Sequence, residues 1–201
     1  IRLVSDVELG TYLSGGVDSS LITAIVSKIK GKPIHTYTIG FEDEGFNEFY
    51  YSNLVAKCYD TNHHLINMKP EDYFNKWDEL IWYNDAPLGV PNEILLAKMS
   101  EVLKKDITVV LSGEGADELF GGYGRIYRAF FEYSKVSESI SFYDYFINKY
   151  EYVPRKIRNK YLNTSLNYRK EFDQLNVSSI FNKYSGQEAI FRFFFSTHIK
   201  G

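Results

Sequence analysis

Residues 10–29 read GTYLSGGVDSSLITAIVSKI, and this stretch decides the predicted fold. Its first residues, 10–13, form a short extended run that ends in a glycine-rich turn. From Asp18 to Ile29 the apolar residues recur at the spacing of a helix face. The stretch therefore predicts a β-strand, a tight loop and an α-helix in succession, which is how a βαβ unit begins.

The same alternation of strand and helix continues through the first 122 residues. Further strands are predicted at 34–39, 63–68 and 107–111, and helices at 47–58, 70–83 and 92–104. Strands that are separated by helices indicate a parallel sheet with both faces covered. We therefore predict an α/β fold, an open parallel sheet of about four to five strands with helices on both faces, followed by an α-helical extension.

The distribution of charge supports two zones. The chain has 201 residues with 23 basic and 26 acidic side chains. Residues 1–122 carry 10 basic and 19 acidic side chains, whereas residues 123–170 carry 10 and 4. The second zone lacks the strand alternation, and its stretches at 123–150, 154–170 and 186–200 are predicted to be helical. We predict an α/β core over 1–122 and a helical part over 123–201.

Composition excludes several classes of protein. The single cysteine, Cys58, cannot form an internal disulfide and is predicted to be a small buried hydrophobe. No stretch approaches the roughly 20 apolar residues of a membrane-spanning helix. A formal charge of −3 gives no general footprint for nucleic acid. We expect a cytoplasmic protein with no membrane partner, and nucleic acid is an unlikely ligand.

The loop LSGGVDSS, residues 13–20, has the chemistry of an anion site. Gly15 and Gly16 permit close backbone approach, and the helix that follows directs its first N–H groups into the loop. The hydroxyl donors are Ser14, Ser19 and Ser20. The spacing matches neither a Walker A loop nor the dinucleotide motif GxGxxG. Asp18 fits such a site if a divalent cation bridges it to phosphate oxygens.

A second loop, LSGEGADELFGGY at 111–123, follows the last predicted strand. It places Glu114, Asp117 and Glu118 within five residues. If the sheet sets this strand beside the first, Asp117 can face Asp18 and the two acids can hold Mg²⁺. The alternative is a solvated acidic turn, and Glu118 in particular is equally explained as a capping or pairing residue.

Three other patterns are predicted to be structural. His63-His64 has no cysteine or third histidine following at ligand spacing, which disfavours a zinc site and favours packing at a strand end or polarity on the substrate side. The run Phe193–Phe195 covers much of a helix circumference, which suggests burial by a further segment or by another chain, a homodimer included. The basic run 155–160 is typical of a solvated helix face, with tRNA binding as the sharper alternative.

The two loops together resemble one known family. SGGVDSS is similar to the pyrophosphate-binding (PP-loop) segment of the N-type ATP pyrophosphatases. SGEGADELFGGY is similar to the second motif of the synthetase domain of glutamine-hydrolysing asparagine synthases. The resemblance runs from about Ser5 through Tyr127 with the motifs in the family's order. It implies an adenine nucleotide α-hydrolase-like fold.

The resemblance also implies a two-step reaction with ATP and Mg²⁺. ATP activates the side-chain carboxylate of aspartate as β-aspartyl-AMP with release of pyrophosphate, and ammonia then displaces AMP to give asparagine. It implies that Glu114 assists adenylate formation or the ammonia step and that Asp18 and Asp117 bind Mg²⁺. The residues implied to hold pyrophosphate are Ser14, Gly15, Gly16, Asp18, Ser19 and Ser20, and those implied to contact adenosine are Leu13, Ile39, Ser112 and Gly113.

The chain departs from the family pattern at its ends. Family enzymes begin with a glutaminase domain whose N-terminal cysteine is the nucleophile, whereas this chain begins with Ile1 and its only cysteine is Cys58. Family enzymes also continue past the point where this chain ends, with a segment that bears basic residues near the active site. We therefore expect the central part of a synthetase domain, cut at both ends, with a glutaminase domain upstream as the source of ammonia.

Three alternative functions remain open. The acceptor can be another carboxylate, such as a uronic acid in polysaccharide assembly. The fold can also serve as a non-catalytic nucleotide-binding module, although Asp18, Glu114 and Asp117 are all present. A tRNA-modifying adenylating enzyme leaves the second motif unexplained.

Overall fold

The computed structural model describes residue 3 and residues 6–43, 45, 47–136, 140–151, 153, 155–161 and 177–194. The chain divides into two compact units, Ile1–Gly113 and Glu114–Gly201. The sequence predicts a boundary at residue 122 between an α/β core and a helical part, and it predicts a role for each. This division into domains stays a prediction. In the described part of the chain, no helix has both the length and the apolar character needed to cross a bilayer.

The first unit contains a four-stranded, all-parallel sheet, which confirms the predicted α/β fold. Its strands are β1 Leu9–Tyr12, β2 His35–Phe41, β3 Asn62–Met68 and β4 Val109–Leu111. The intervening helices are α1 Val17–Lys30, α2 Phe49–Cys58, α3 Pro70–Asn84 and α4 Asn92–Leu103. Each strand and helix lies within a few residues of its predicted position.

Two separate hydrophobic clusters pack against the sheet. In one, Val26 of α1 packs with Leu9 of β1 and with Ile34 beside β2. The other cluster joins α4 to the strands and contains Tyr37, Ile66, Met99, Leu103 and Ile107. Successive side chains of a strand point to opposite faces, so Leu9 and Tyr37 can belong to different clusters. Both faces of the sheet are thereby covered.

The strand order is β3-β2-β1-β4. The chain moves outward from β1 to β3 and then returns to place β4 on the other side of β1. Gly10 of β1 pairs with His35 of β2 on one side and with Val110 of β4 on the other. The order therefore reverses at β1, and ligands of open parallel sheets bind at the carboxyl ends of the strands at such a point.

Helix α2 differs from the sequence prediction in two details. Its N-cap is Glu48, so the helix begins after the predicted start at Asn47, whose side-chain oxygen accepts a hydrogen bond from Phe49 N at 3.3 Å. Cys58 is exposed, so its predicted burial is wrong. The buried residues of α2 are Ser52 and Ala56, and Cys58 is the last residue of the helix, away from that inward face.

The described residues of the second unit form short helices, which confirms the predicted helical extension. They are α5 Ala116–Phe120, α6 Gly124–Tyr127, α7 Ala129–Tyr133, α8 Phe142–Tyr150, α9 Arg155–Tyr161, α10 Val177–Lys183 and α11 Gly186–Phe194. The predicted helical stretches 154–170 and 186–200 extend beyond the described residues. In α9, Lys156 and Lys160 are exposed, as a solvated helix face requires.

The second unit has its own aromatic core. Phe193 and Phe194 of α11 are each 1% exposed, and Phe146 of α8 is fully buried beside them. Phe193 contacts Phe146, whereas Phe194 contacts Tyr127. Helix α11 is thus packed on two sides, which is how adjacent phenylalanines are both buried. The expectation that this run needs another segment or chain is wrong for Phe193 and Phe194, and Phe195 lies outside the described residues.

Candidate functional site

The first loop leaves β1 from a firmly held position. Leu13, 1% exposed, donates its backbone N–H to the Tyr37 carbonyl of β2 at 2.9 Å. The Thr38 hydroxyl donates to the Leu13 carbonyl. Both backbone groups of Leu13 are therefore satisfied by β2, and the loop begins at a fixed point of the sheet.

Two serines fold the loop back on itself. The Ser19 hydroxyl donates to the Gly16 carbonyl at 3.2 Å and accepts from Ser14 N at 3.2 Å. The Ser14 and Ser19 hydroxyl oxygens lie 3.0 Å apart, and Gly16 N donates to the Ser14 hydroxyl at 3.2 Å. This small network holds the backbone of residues 14–19 in a compact turn.

Gly15 is required by two independent constraints. Its φ of +95° lies in the left-handed region. A Cβ at this position would lie 2.5 Å from Tyr51 Cβ and 2.6 Å from Ser52 N on α2. Only glycine meets both constraints, so α2 packs directly on the backbone of the loop.

Helix α1 begins directly at the loop. Gly16 is the N-cap and makes no side-chain cap hydrogen bond. The first N–H groups of an α-helix have no acceptor within the helix and carry partial positive charge, which favours anions. Asp18 lies in this first turn. An acid there stabilises the helix by itself, and it can also bind a cation that accompanies an anionic ligand.

Helix α1 is fixed to the sheet one turn beyond the loop. The hydroxyls of Thr11 on β1 and Thr23 on α1 lie 2.8 Å apart, and both residues are fully buried. Nearer the loop, the Ser20 hydroxyl is buried without a hydrogen-bond partner among the described residues. An unsatisfied buried hydroxyl costs about 1–3 kcal/mol.

The second loop meets the first at Gly113. A Cβ on Gly113 would lie 3.1 Å from Asp18 Cβ and 3.1 Å from Ser19 N. Gly113 follows β4, and β4 pairs with β1, so the strand order explains the approach. The structure thus brings together the predicted residues 13–20 and 112–113. Ile39 lies on β2, where its side chain packs against the cluster of Tyr37 and Ile66.

The predicted acidic residues Glu114 and Asp117 belong to the second unit. Glu114 is exposed, and Asp117 lies in the first turn of α5. The Asp117 carbonyl accepts hydrogen bonds from Gly121 N at 2.9 Å and Gly122 N at 3.0 Å. A Cβ on Gly122 would lie 1.7 Å from Asp117 Oδ1. The second glycine of the GGY sequence therefore leaves room for the Asp117 carboxylate.

Glu118 is held by two tyrosine hydroxyls, partners that the sequence analysis did not name. Tyr123 donates its hydroxyl to Glu118 Oε1 at 2.7 Å, and Tyr127 donates to the Glu118 carbonyl at 3.3 Å. The bond to Glu118, with burial, raises the pKa of Tyr123 well above its ordinary value. Tyr123 ends the second motif, so the signal was present in the sequence. The prediction that Glu118 is a pairing residue fits this geometry, with tyrosine as the partner instead of a base.

Comparison with known proteins identifies the family. The asparagine synthase family matches residues 1–192, which is most of the chain. The chain belongs to the asparagine synthase family. The resemblance found in the two loops is therefore confirmed at the level of the family.

Individual relatives extend the comparison. A glutamine-hydrolysing asparagine synthetase of Bacillus subtilis is 40% identical over 128 residues, which cover 64% of this chain and 20% of the relative. A putative glutamine-hydrolysing asparagine synthetase of Methanocaldococcus jannaschii is 40% identical over 124 residues, 61% of this chain and 24% of the relative. A putative glutamine-hydrolysing asparagine synthetase of Mycobacterium bovis is 35% identical over 154 residues, which cover 77% of this chain and 21% of the relative. The matched part of the chain therefore spans only a fifth to a quarter of each relative.

Proposed function

We propose that this chain carries the nucleotide-binding part of an ATP-dependent, amide-forming ligase. One structural observation carries the proposal: the loop after β4 touches the loop after β1, with Gly113 against Asp18 and Ser19. The contact lies at the carboxyl ends of adjacent parallel strands, where this fold class binds nucleotides. Membership of the asparagine synthase family supports the same assignment.

The first loop suits the pyrophosphate part of ATP. The N–H groups at the start of α1, the serine hydroxyls and the close backbone approach at Gly15 are the features of an anion cradle. We assign Ser14, Gly15, Gly16, Asp18, Ser19 and Ser20 to it. The absence of a side chain at Gly113 lets the backbone after β4 approach the start of α1 closely. For Leu13, Ile39, Ser112 and Gly113 we propose contacts mainly through backbone groups, because the side chains of Leu13 and Ile39 are committed to the core.

We assign Mg²⁺ to Asp18 and Asp117. Carboxylate oxygens are the ligands this ion prefers. Each residue lies in the first turn of a helix, and the room that Gly122 leaves for the Asp117 carboxylate supports a role for that side chain. Bound Mg²⁺ supplies neutralisation of the phosphate charge.

The proposed reaction has two steps. An oxygen of the acceptor carboxylate attacks the α-phosphorus of ATP, the bond between the α- and β-phosphates breaks, and pyrophosphate leaves. The nitrogen of ammonia then attacks the acyl carbon, and AMP leaves with the bonding electron pair. The N–H groups of α1 stabilise charge on the departing pyrophosphate. Glu114, an exposed carboxylate, assists one of these steps and can accept the proton that the nitrogen loses.

For the substrates we propose aspartate as acceptor and ammonia from glutamine as donor. A glutaminase domain upstream would release that ammonia, and the cytoplasm is the proposed compartment. These assignments rest on the family and on the two motifs. They make asparagine the proposed product.

The acceptor is tested by measuring pyrophosphate release from ATP, with ammonium as nitrogen donor. The assay uses the encoded protein with whatever segments flank these 201 residues, and it compares aspartate with glucuronate. We expect release that depends on aspartate and yields asparagine. Release that depends on glucuronate would replace the acceptor, and release independent of any carboxylate would contradict amide synthesis.

The nucleotide site is tested by Mg²⁺-dependent ATP binding. Asp18→Asn and Asp117→Asn should each weaken binding at least tenfold, whereas Asp78→Asn on exposed α3 is the matched control and should not. If neither Asp18→Asn nor Asp117→Asn weakens binding, the metal assignment is wrong. Tight, Mg²⁺-dependent binding without any pyrophosphate release would instead identify a non-catalytic nucleotide-binding module.

A further inference from the structure

Three side chains with metal-binding chemistry converge in the first unit, away from the two loops. They are His35, the first residue of β2, His64, the third residue of β3, and Asp106, which precedes β4. One ligand atom from each lies within 4.8 Å of the others. His35 begins β2 and Asp106 precedes β4, so both lie at the amino ends of the strands. The proposed nucleotide site lies at the carboxyl ends, on the opposite side of the sheet along the strand direction.

The two imidazoles are already in direct contact. His35 Nδ1 and His64 Nε2 lie 3.0 Å apart. The rings are stacked with a centroid separation of 5.2 Å and an interplanar angle of 18°. Parallel strand pairing aligns His64 with Tyr37, two residues along β2 from His35. The contact is therefore imposed by the sheet register rather than by flexible side chains.

Tyr37 orients two members of the cluster. Its hydroxyl donates to Asp106 Oδ2 at 3.2 Å, and its ring stacks on His64 with a centroid separation of 4.6 Å. Burial and the nearby Asp106 raise the pKa of Tyr37, so this hydroxyl remains a donor. A hydrogen bond from a fixed side chain to a ligating carboxylate is the usual outer support of a metal site.

We propose that His35, His64 and Asp106 form a binding site for one divalent transition-metal ion of the Zn²⁺ type. Two imidazole nitrogens and one carboxylate oxygen are a common ligand set for this ion, with water as the fourth ligand. The metal takes the place of the proton that the two imidazoles share. Each ring then carries its proton on the other nitrogen, so no net charge change of the histidines is needed.

The geometry needs only local adjustment. At metal–ligand distances of about 2.0–2.1 Å, ligand atoms on a tetrahedral ion are about 3.3 Å apart. The two nitrogens, at 3.0 Å, are close to that separation. The Asp106 carboxylate has to move inward, and it belongs to an exposed residue in the segment between α4 and β4.

The sequence prediction disfavoured a metal site because it considered only the adjacent pair His63-His64. The structure separates these neighbours, since successive residues of a strand point to opposite faces. His63 Nδ1 lies 2.8 Å from the Thr36 hydroxyl and takes no part in the cluster. His35, 29 residues before His64, joins the site only through strand pairing.

The test is titration of the 201-residue chain with Zn²⁺ by calorimetry and with Co²⁺ by visible absorption. Excess Mg²⁺ is present to occupy sites built from oxygen ligands. We expect one Zn²⁺ per chain and the absorption bands of four-coordinate Co²⁺. His64→Gln and Asp106→Asn should each weaken Zn²⁺ binding at least tenfold, whereas the adjacent His63→Gln should leave it unchanged. Tyr37→Phe keeps all three ligands and should weaken binding about tenfold.

Circular dichroism without metal checks that each variant is folded, and an unfolded variant is replaced by His35→Gln. The proposal is overturned if the wild-type chain does not bind Zn²⁺. It is also overturned if His64→Gln and Asp106→Asn bind as well as wild type, or if His63→Gln weakens binding equally. If the wild-type chain does not bind Zn²⁺, the cluster is a hydrogen-bonded histidine pair only. The result does not depend on ATP or on the proposed ligase activity.

Discussion

Gly113 faces Asp18 so closely that one methyl group on Gly113 would come within 3.1 Å of Asp18 Cβ. The two residues belong to different loops and are joined through the pairing of β1 with β4. The contact sets the distance between the start of α1 and the backbone that directly follows β4. This close approach depends on the missing side chain of Gly113.

Gly113→Ala should loosen this contact. The new Cβ would press on Asp18 and on the backbone of Ser19, which cannot withdraw without shifting the start of α1. We expect a loss of about 1–3 kcal/mol in the free energy of unfolding and a weaker affinity for ATP. Urea denaturation and ATP titration measure the two effects. Gly124→Ala is the control, because a Cβ on Gly124 would meet no atom within 4 Å, and equal behaviour of the two variants would contradict the contact.

Gly15→Ala should destabilise the first unit more than Gly31→Ala. Both glycines have positive φ, +95° and +62°, so both substitutions introduce backbone strain of about 1–2 kcal/mol. Only the Cβ at Gly15 meets other atoms, on α2, whereas the Cβ at Gly31 meets none within 4 Å. The difference between the urea midpoints isolates the close approach. Identical midpoints would show that α2 does not pack on the loop.

Phe193→Ala should create a cavity in the core of the second unit. Phe193 is 1% exposed and contacts Phe146 with a centroid separation of 5.3 Å. Loss of such a side chain costs about 3–5 kcal/mol, and thermal unfolding measures it. Phe191→Ala, two residues earlier and 44% exposed, is the matched control and should cost far less. A small effect of Phe193→Ala would mean that this aromatic core contributes little.

His63 should make stability depend on pH. Burial lowers the pKa of His63 in the folded state, and its Nε2 atom is buried without a partner among the described residues. The unfolded chain therefore takes up a proton first as pH falls below about 6.5, and the free energy of unfolding decreases. His63→Gln removes this group and should reduce the loss of stability between about pH 7 and pH 5.5. Urea denaturation at both pH values checks it, and an unchanged loss would contradict the role of His63.

The local order of strands and helices could be predicted because each element carries its own periodicity. The glycine-rich loops after β1 and β4 were found in the same way, since glycine clusters mark where a strand ends. That β4 lies beside β1 was only a condition of the sequence argument. The order of strands in a sheet depends on which face each connection crosses. The spacing of residues along the sequence does not indicate that order.

What the sequence could not show depends on contacts between distant residues. The burial of Phe193 and Phe194 requires helices α6 and α8 on two sides of α11. The pairing of Glu118 with Tyr123 requires the turn at Gly121. The convergence of His35 and His64 requires the register of β2 and β3. In each case the residue types were visible, but their partners were set by tertiary structure.

The pairing of β1 with β4 has a consequence for the order of folding. Leu9 pairs with Val109, 100 positions later in the chain, whereas β1, β2 and β3 pair between elements that follow one another. Contacts between distant positions pay a larger entropy of loop closure and form more slowly. We expect an early species with β1–β3 paired, which has the first loop but not the second. Nucleotide affinity would then arise only in the last step of folding, when β4 docks.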